Sequence, residues 1–129
     1  MICTVIGDSI AVGMAQQLPQ CAALAHKGWT SRQWHSRYSQ LTADGRVVIS
    51  LGSNDFGIDT AAELRLIRRQ FAHADRVIWI VPARQADAVR TVAAEFGDAM
   101  VSIPALGPDH IHPTGHAYRA MAKRIERTA

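Results

Sequence analysis

The chain lacks most features that would mark it as anything but a globular protein. None of its 129 residues falls in a run of 18 apolar positions, so no transmembrane helix is indicated. There is no low-complexity tract, no linker and no internal repeat beyond an alternation of short apolar runs with helical patterns. Cysteine is scarce, with only Cys3 and Cys21 present and no C-x-x-C pair, which removes the usual zinc and dithiol motifs. The plainest reading of the two is a pair of small buried thiols on neighbouring strands; sequence alone does not decide whether they bond. The first apolar run starts at Met1, which leaves no room for a signal peptide and points to the cytoplasm, with release by another route as the alternative. No cofactor motif is found. His112 and His116 are four apart, the spacing of a helical zinc pair, but Pro113 between them argues that the helix starts later, so no metal is expected.

Charge of one sign is not concentrated either. Fourteen Lys and Arg face eleven Asp and Glu, a net charge of +3, and the isoelectric point is near 9.3. The densest basic patch, Arg65, Arg68 and Arg69, has helical spacing and reads as a solvated helix face. Without a basic run, nucleic acid is not an expected partner; the overall balance would still help the protein approach an anionic polymer.

What is present is a regular alternation. Strands are expected over Met1–Ile6, Ala22–His26, Arg46–Leu51, Arg76–Val81 and Ala99–Ile103. Helices are expected over Ile10–Leu18, Thr60–Ala72, Ala86–Phe96 and Thr114–Arg127, with Ser31–Leu41 either a short helix or an irregular loop. Continuous apolar strands joined by helices imply a single 1–129 α/β domain: a three-layer α/β/α sandwich on a five-stranded parallel sheet, flavodoxin-like. Ligands of such sheets bind beyond the carboxyl ends of the strands.

Those ends carry chemistry. Strand one runs into Gly7-Asp8-Ser9, strand two into Lys27-Gly28-Trp29, strand three into Gly52-Ser53-Asn54-Asp55, and the last into a loop holding Asp109, His110 and His112. Taken singly, Ser9 is a helix cap, Gly28 a turn glycine, Asn54, Asp55 and Asp109 loop or cap residues, and His112 a surface histidine. Taken together, they supply what acyl transfer by a serine needs. Ser9 is the nucleophile and His112 the base, and Asp109 orients the base. The Ser9 and Gly28 N–H groups and the Asn54 amide are oxyanion donors. His110 is expected to face solvent.

With these residues in hand, the sequence resembles the SGNH hydrolases of the GDSL lipase/esterase superfamily. "GDSI" at Gly7–Ile10 is similar to the first block, "KGWTS" at Lys27–Ser31 to the second, "LGSND" at Leu51–Asp55 to the third, and "DHIHP" at Asp109–Pro113 to the fifth. Ile10 replaces the leucine of the four-letter name, and the chain is shorter than many members, without room for a lid or a deep acyl tunnel. The resemblance implies a serine esterase working through Ser9, His112 and Asp109. The short chain argues for a small acyl group such as acetyl. Trp29 and Trp34, following the oxyanion glycine, are candidate stacking partners for a sugar ring. The alternatives are a thioesterase or lysophospholipase taking longer chains, and a non-catalytic flavodoxin-like binding module.

Overall fold

The computed structural model describes residues 2–128, and its ten elements alternate strand and helix. The strands are β1 (Cys3–Gly7), β2 (Ala22–Ala25), β3 (Arg46–Ser50), β4 (Arg76–Val81) and β5 (Ala99–Ser102). The helices are α1 (Ser9–Gln17), α2 (Ser31–Tyr38), α3 (Thr60–Gln70), α4 (Ala86–Glu95) and α5 (Gly115–Arg127). All strand pairs are parallel and the sheet order is β2-β1-β3-β4-β5. Each expected element is present at nearly its expected bounds, and the ambiguous Ser31–Leu41 stretch resolves as a helix.

Side chains alternate across a strand, and the sheet therefore feeds two cores. Ile6, Val47, Ile49, Val77, Trp79 and Val81 point to the face covered by α2, α3 and α4. Val5, Val48, Ile78, Ile80 and Val101 point to the face covered by α1 and α5. Burial on both faces explains why β1, β3 and β4 read as continuous apolar runs rather than alternating ones, while the edge strands β2 and β5 are partly exposed.

The order of the strands decides where a site can form. The chain leaves β1 toward β2 on one side and leaves β3 toward β4 on the other, so the crossovers diverge between β1 and β3. That divergence opens a crevice at the carboxyl ends of these two central strands. Gly7 is required there: its φ is +139°, and a Cβ would lie 1.9 Å from the Ser50 carbonyl oxygen of β3. The same close approach lets the Asp8 N–H donate to that carbonyl at 3.0 Å.

Cys3 and Cys21 are joined as a disulfide, which ties the start of β1 to the entrance of β2 across α1. The two-thiol reading of the sequence is thereby replaced. Of the basic patch, Arg65 pairs with Glu95 and Arg68 with Asp98, so two of its three members clamp α3 to the end of α4 and its following turn rather than forming a free solvated face. Among the described residues no helix is long and apolar enough to cross a membrane.

Candidate active site

The turn after β1 carries the first component. Asp8, in extended conformation, is the N-cap of α1, its Oδ1 accepting from the Ile10 N–H at 3.0 Å. Ser9 is therefore the first helical residue and not the cap. Its hydroxyl has no capping duty, and its N–H, in the first turn, has no acceptor within the helix.

The second component comes from the loop between β5 and α5. An isolated bridge pairs Leu106 with Pro113, and Gly107 N–H donates to the His112 carbonyl at 2.8 Å, so the loop closes on itself. Asp109 Oδ1 accepts from the N–H groups of Ile111 and His112, both at 2.9 Å. This leaves Oδ2 aimed at the ring of His112, 2.5 Å from Nδ1. His110 takes a left-handed conformation (φ +58°) and is exposed, as its position in the turn suggested. Thr114 then caps α5, with Pro113 just before the cap.

The two components meet: Ser9 Oγ lies 2.8 Å from His112 Nε2 across 103 residues of sequence. The proton positions follow from valence. An ionised carboxylate only accepts, so Nδ1 must carry its hydrogen toward Asp109, and the Nε2 of a neutral ring is then the acceptor of the serine hydroxyl. The His112 side chain holds the Asp109 carboxyl well below the usual carboxylate range, with the two backbone N–H donors adding to the effect. His112 and Asp109 are nearly half exposed, so the hydroxyl–imidazole–carboxylate chain sits at the mouth of an open site.

The third component is the pair of segments after β2 and β3. His26 N–H donates to the Gly7 carbonyl at 2.9 Å, which ties the post-β2 segment to the turn bearing Ser9. Asn54 Nδ2 donates to the Trp29 carbonyl at 3.0 Å, which ties the same segment to the end of β3. An amide nitrogen has two hydrogens, so one remains beyond this bond. Gly28 adopts φ +80° with open space about its Cα. Among the described residues its N–H has no hydrogen-bond acceptor.

The two tryptophans separate. Trp29 is half-buried and its ring stacks on His26 at 3.9 Å between centroids. Trp34 is not a rim residue: it is fully buried, its Nε1 donates to the Leu24 carbonyl at 2.9 Å, and it packs near Phe71 in the core. Its place as a sugar-stacking partner is withdrawn. The cause is helical phase: with α2 formed, Ser31 and Trp34 share its inward face.

Two structural residues escaped the sequence reading. Asp55, read as a loop residue, is buried and accepts from the Ser31 N–H at 2.9 Å, the Ser31 hydroxyl at 2.5 Å and the Thr60 hydroxyl at 2.8 Å. It thus pins the starts of α2 and α3 to the loop bearing Asn54. Asp8 is fully buried, and burial pushes its carboxyl up to about 6 against the pull of its Ile10, Ala11 and Ser50 donors. Only its place beside a serine marked it in sequence, and that does not foretell burial.

No family model and no curated protein matches the chain. Solved structures do share its fold. A Bacteroides fragilis "putative acylhydrolase" superposes with a TM-score of 0.69 at 19% identity, covering 98% of this chain and 85% of that one. The C-terminal catalytic domain of Streptococcus pneumoniae peptidoglycan O-acetyltransferase A, solved with a methylsulfonyl adduct, gives a TM-score of 0.61 at 18% identity, covering 96% and 89%. At these identities the likeness establishes the α/β sandwich and nothing finer.

Proposed function

We propose that the protein is a serine esterase of SGNH type that removes a short acyl group, acetyl above all, from a carbohydrate alcohol. The observation that carries this reading is the unbroken chain Ser9 Oγ, His112 Nε2, His112 Nδ1, Asp109 Oδ2 at the carboxyl end of β1. In the reaction Ser9 Oγ attacks the ester carbonyl carbon while His112 Nε2 takes its proton. Asp109 keeps the ring in the productive tautomer and stabilises the imidazolium. The negative oxygen of the tetrahedral intermediate is met by the Ser9 N–H, the Gly28 N–H and the second hydrogen of Asn54 Nδ2. Collapse breaks the C–O bond to the alcohol, which leaves with the proton from His112. Water, deprotonated by the same nitrogen, then attacks acyl-Ser9 and releases the acid.

Both comparison proteins carry acyl-handling names, which supports this chemistry class. A second reading has a specific observation behind it. The exposed His112 and Asp109 leave room for an alcohol in place of water, and one neighbour is named an O-acetyltransferase. Added oligosaccharide that diverts the acyl group from water into new ester would select that reading. The Cys3–Cys21 bond supports an oxidising compartment over the reducing cytoplasm expected from the sequence.

The test is covalent labelling. A fluorophosphonate is expected to add to Ser9 and to no other serine, with His112→Ala abolishing the addition; mass spectrometry of the labelled peptide reads it. Labelling elsewhere, or none, would refute the assignment.

A further inference from the structure

Along the outward side of α2 runs an open groove of about 560 Å³ lined by Trp29, Thr30, Arg32, Gln33, Ser36 and Arg37. It falls within the size range of small-ligand sites. One of its lining residues, Trp29, is the residue whose carbonyl accepts from Asn54, which links the groove to the site. From Thr30 to Arg37 the helix advances roughly 10 Å, a length for more than one hydroxylated ring.

Its chemistry is one-sided. Two guanidinium groups, two hydroxyls, an amide and an indole line it, and no carboxylate does. A ring stack sets both ends. Arg37 lies over Tyr38 at 5.0 Å, the Tyr38 hydroxyl is hydrogen-bonded to His26 Nε2, and His26 stacks on Trp29. Among the described residues Arg37 has no acidic partner, whereas Arg32 makes a single 3.2 Å contact to Glu63 and is 59% exposed. An exposed pair of that kind is weak and is readily exchanged for a ligand carboxylate.

We propose that this groove binds the carbohydrate portion of the ester, and that the carbohydrate is a polyanion bearing carboxylates. The proposal rests on the esterase reading only for its link to Ser9; the binding itself does not depend on it. The half-buried indole offers an apolar face to a sugar ring. Arg32 and Arg37 offer planar two-pronged donors to carboxylates on successive rings. A fatty chain in the same groove would strip water from both guanidiniums without replacing it.

Calorimetric titration of the Ser9→Ala protein with a non-acetylated oligogalacturonide tests this without any turnover. Binding is expected to exceed that of a neutral xylo-oligosaccharide at least tenfold and to weaken with salt. It is expected to fall about tenfold for each of Arg32→Gln and Arg37→Gln. Arg127→Gln, on the opposite face of the sheet, is expected to leave it unchanged. Equal binding of acidic and neutral sugars, no binding of either, or tighter binding of a single-stranded oligonucleotide would overturn the proposal. Turnover of p-nitrophenyl acetate by wild type separates the two claims. Turnover without oligogalacturonide binding sinks the groove and spares the esterase, and binding without turnover does the reverse.

Discussion

Asp8 is buried with one oxygen bonded and the other, Oδ2, without a partner. Its carboxyl is pushed up to about 6 by burial, and Tyr118 of α5 is raised by its own burial and then by the charges of Asp8 and Asp109. With its ordinary value near 3.8, the unfolded state ionises first as pH rises, so the native state loses stability between about 4 and 6 and carries a constant penalty above that window. The rise from 3.8 to about 6 corresponds to a penalty of about 3 kcal/mol. Asp8→Asn keeps an acceptor at Oδ1 for the Ile10 N–H and the Ser50 hydroxyl. Its melting temperature is therefore expected to exceed wild type at pH 8 and to match it near pH 4. A gain independent of pH would show that the charge is not the cause. On the proposed mechanism, Asn54→Ala removes a donor to the charge that develops in the transition state. It is expected to lower kcat by roughly 10²–10³ with KM little changed; a rise in KM at constant kcat would make Asn54 a ground-state contact. At this scale sequence placed Ser9, Asn54, Asp109 and His112 in the loops that follow strands, and the structure brings Ser9, His112 and Asp109 into hydrogen-bond contact. Sequence did not carry Asp55 or Asp8 as buried groups, because burial of a carboxylate depends on what the rest of the chain brings around it.

The elements show where local signals sufficed. The β-branched runs of β1, β3 and β4 became central strands because burial on both faces suits that pattern, whereas β2 (AALA) and β5 (AMVS) are partly exposed edge strands with little β-branching. The segment after β2 was ambiguous because α2 is only eight residues long and polar on most of its surface. Its strongest signal was the capping box, in which Thr30 Oγ1 accepts from the Gln33 N–H and Gln33 Oε1 from the Thr30 N–H. Read that way, the box starts the helix at Ser31, and Trp34, Tyr38 and Leu41 then fall at i, i+4 and i+7 on one core-facing side. The disulfide was beyond sequence, since pairing depends on Cα atoms that meet only once β1 and β2 are adjacent; here they are 4.8 Å apart. It closes the β1–α1–β2 unit at the end of the strands opposite Ser9. The Cys3→Ser/Cys21→Ser protein is accordingly expected to lose about 2–4 kcal/mol in denaturant unfolding while its kcat stays within about twofold of wild type. A large loss of kcat under native conditions would mean that the bond positions the site as well as the sheet.

For the whole molecule, strand order is the fact that matters most. Placing β1 beside β3 brings residue 9 and residue 54 to one crevice, and returning the β5–α5 loop over it brings in residue 112. The groove that begins at Trp29 sets two arginines, two hydroxyls and an amide beside that indole. An acyl chain gains about 0.8 kcal/mol for each methylene it buries, but only where apolar walls receive it. In a p-nitrophenyl ester series from two to twelve carbons, kcat/KM is expected to peak at acetyl or propionyl and to fall from about butyryl onward. A maximum at eight carbons or more would replace the deacetylase reading with a lipid or thioester one. The claim beneath all of these is that Ser9 forms the acyl-enzyme. Hydrolysis of p-nitrophenyl acetate by wild type and by Ser9→Ala, with matched circular dichroism and melting curves, tests it most directly. Steady turnover by wild type and loss of all but a few per cent in the folded variant are expected; a folded Ser9→Ala protein that turned over ester at the wild-type rate would rule out Ser9 as the nucleophile.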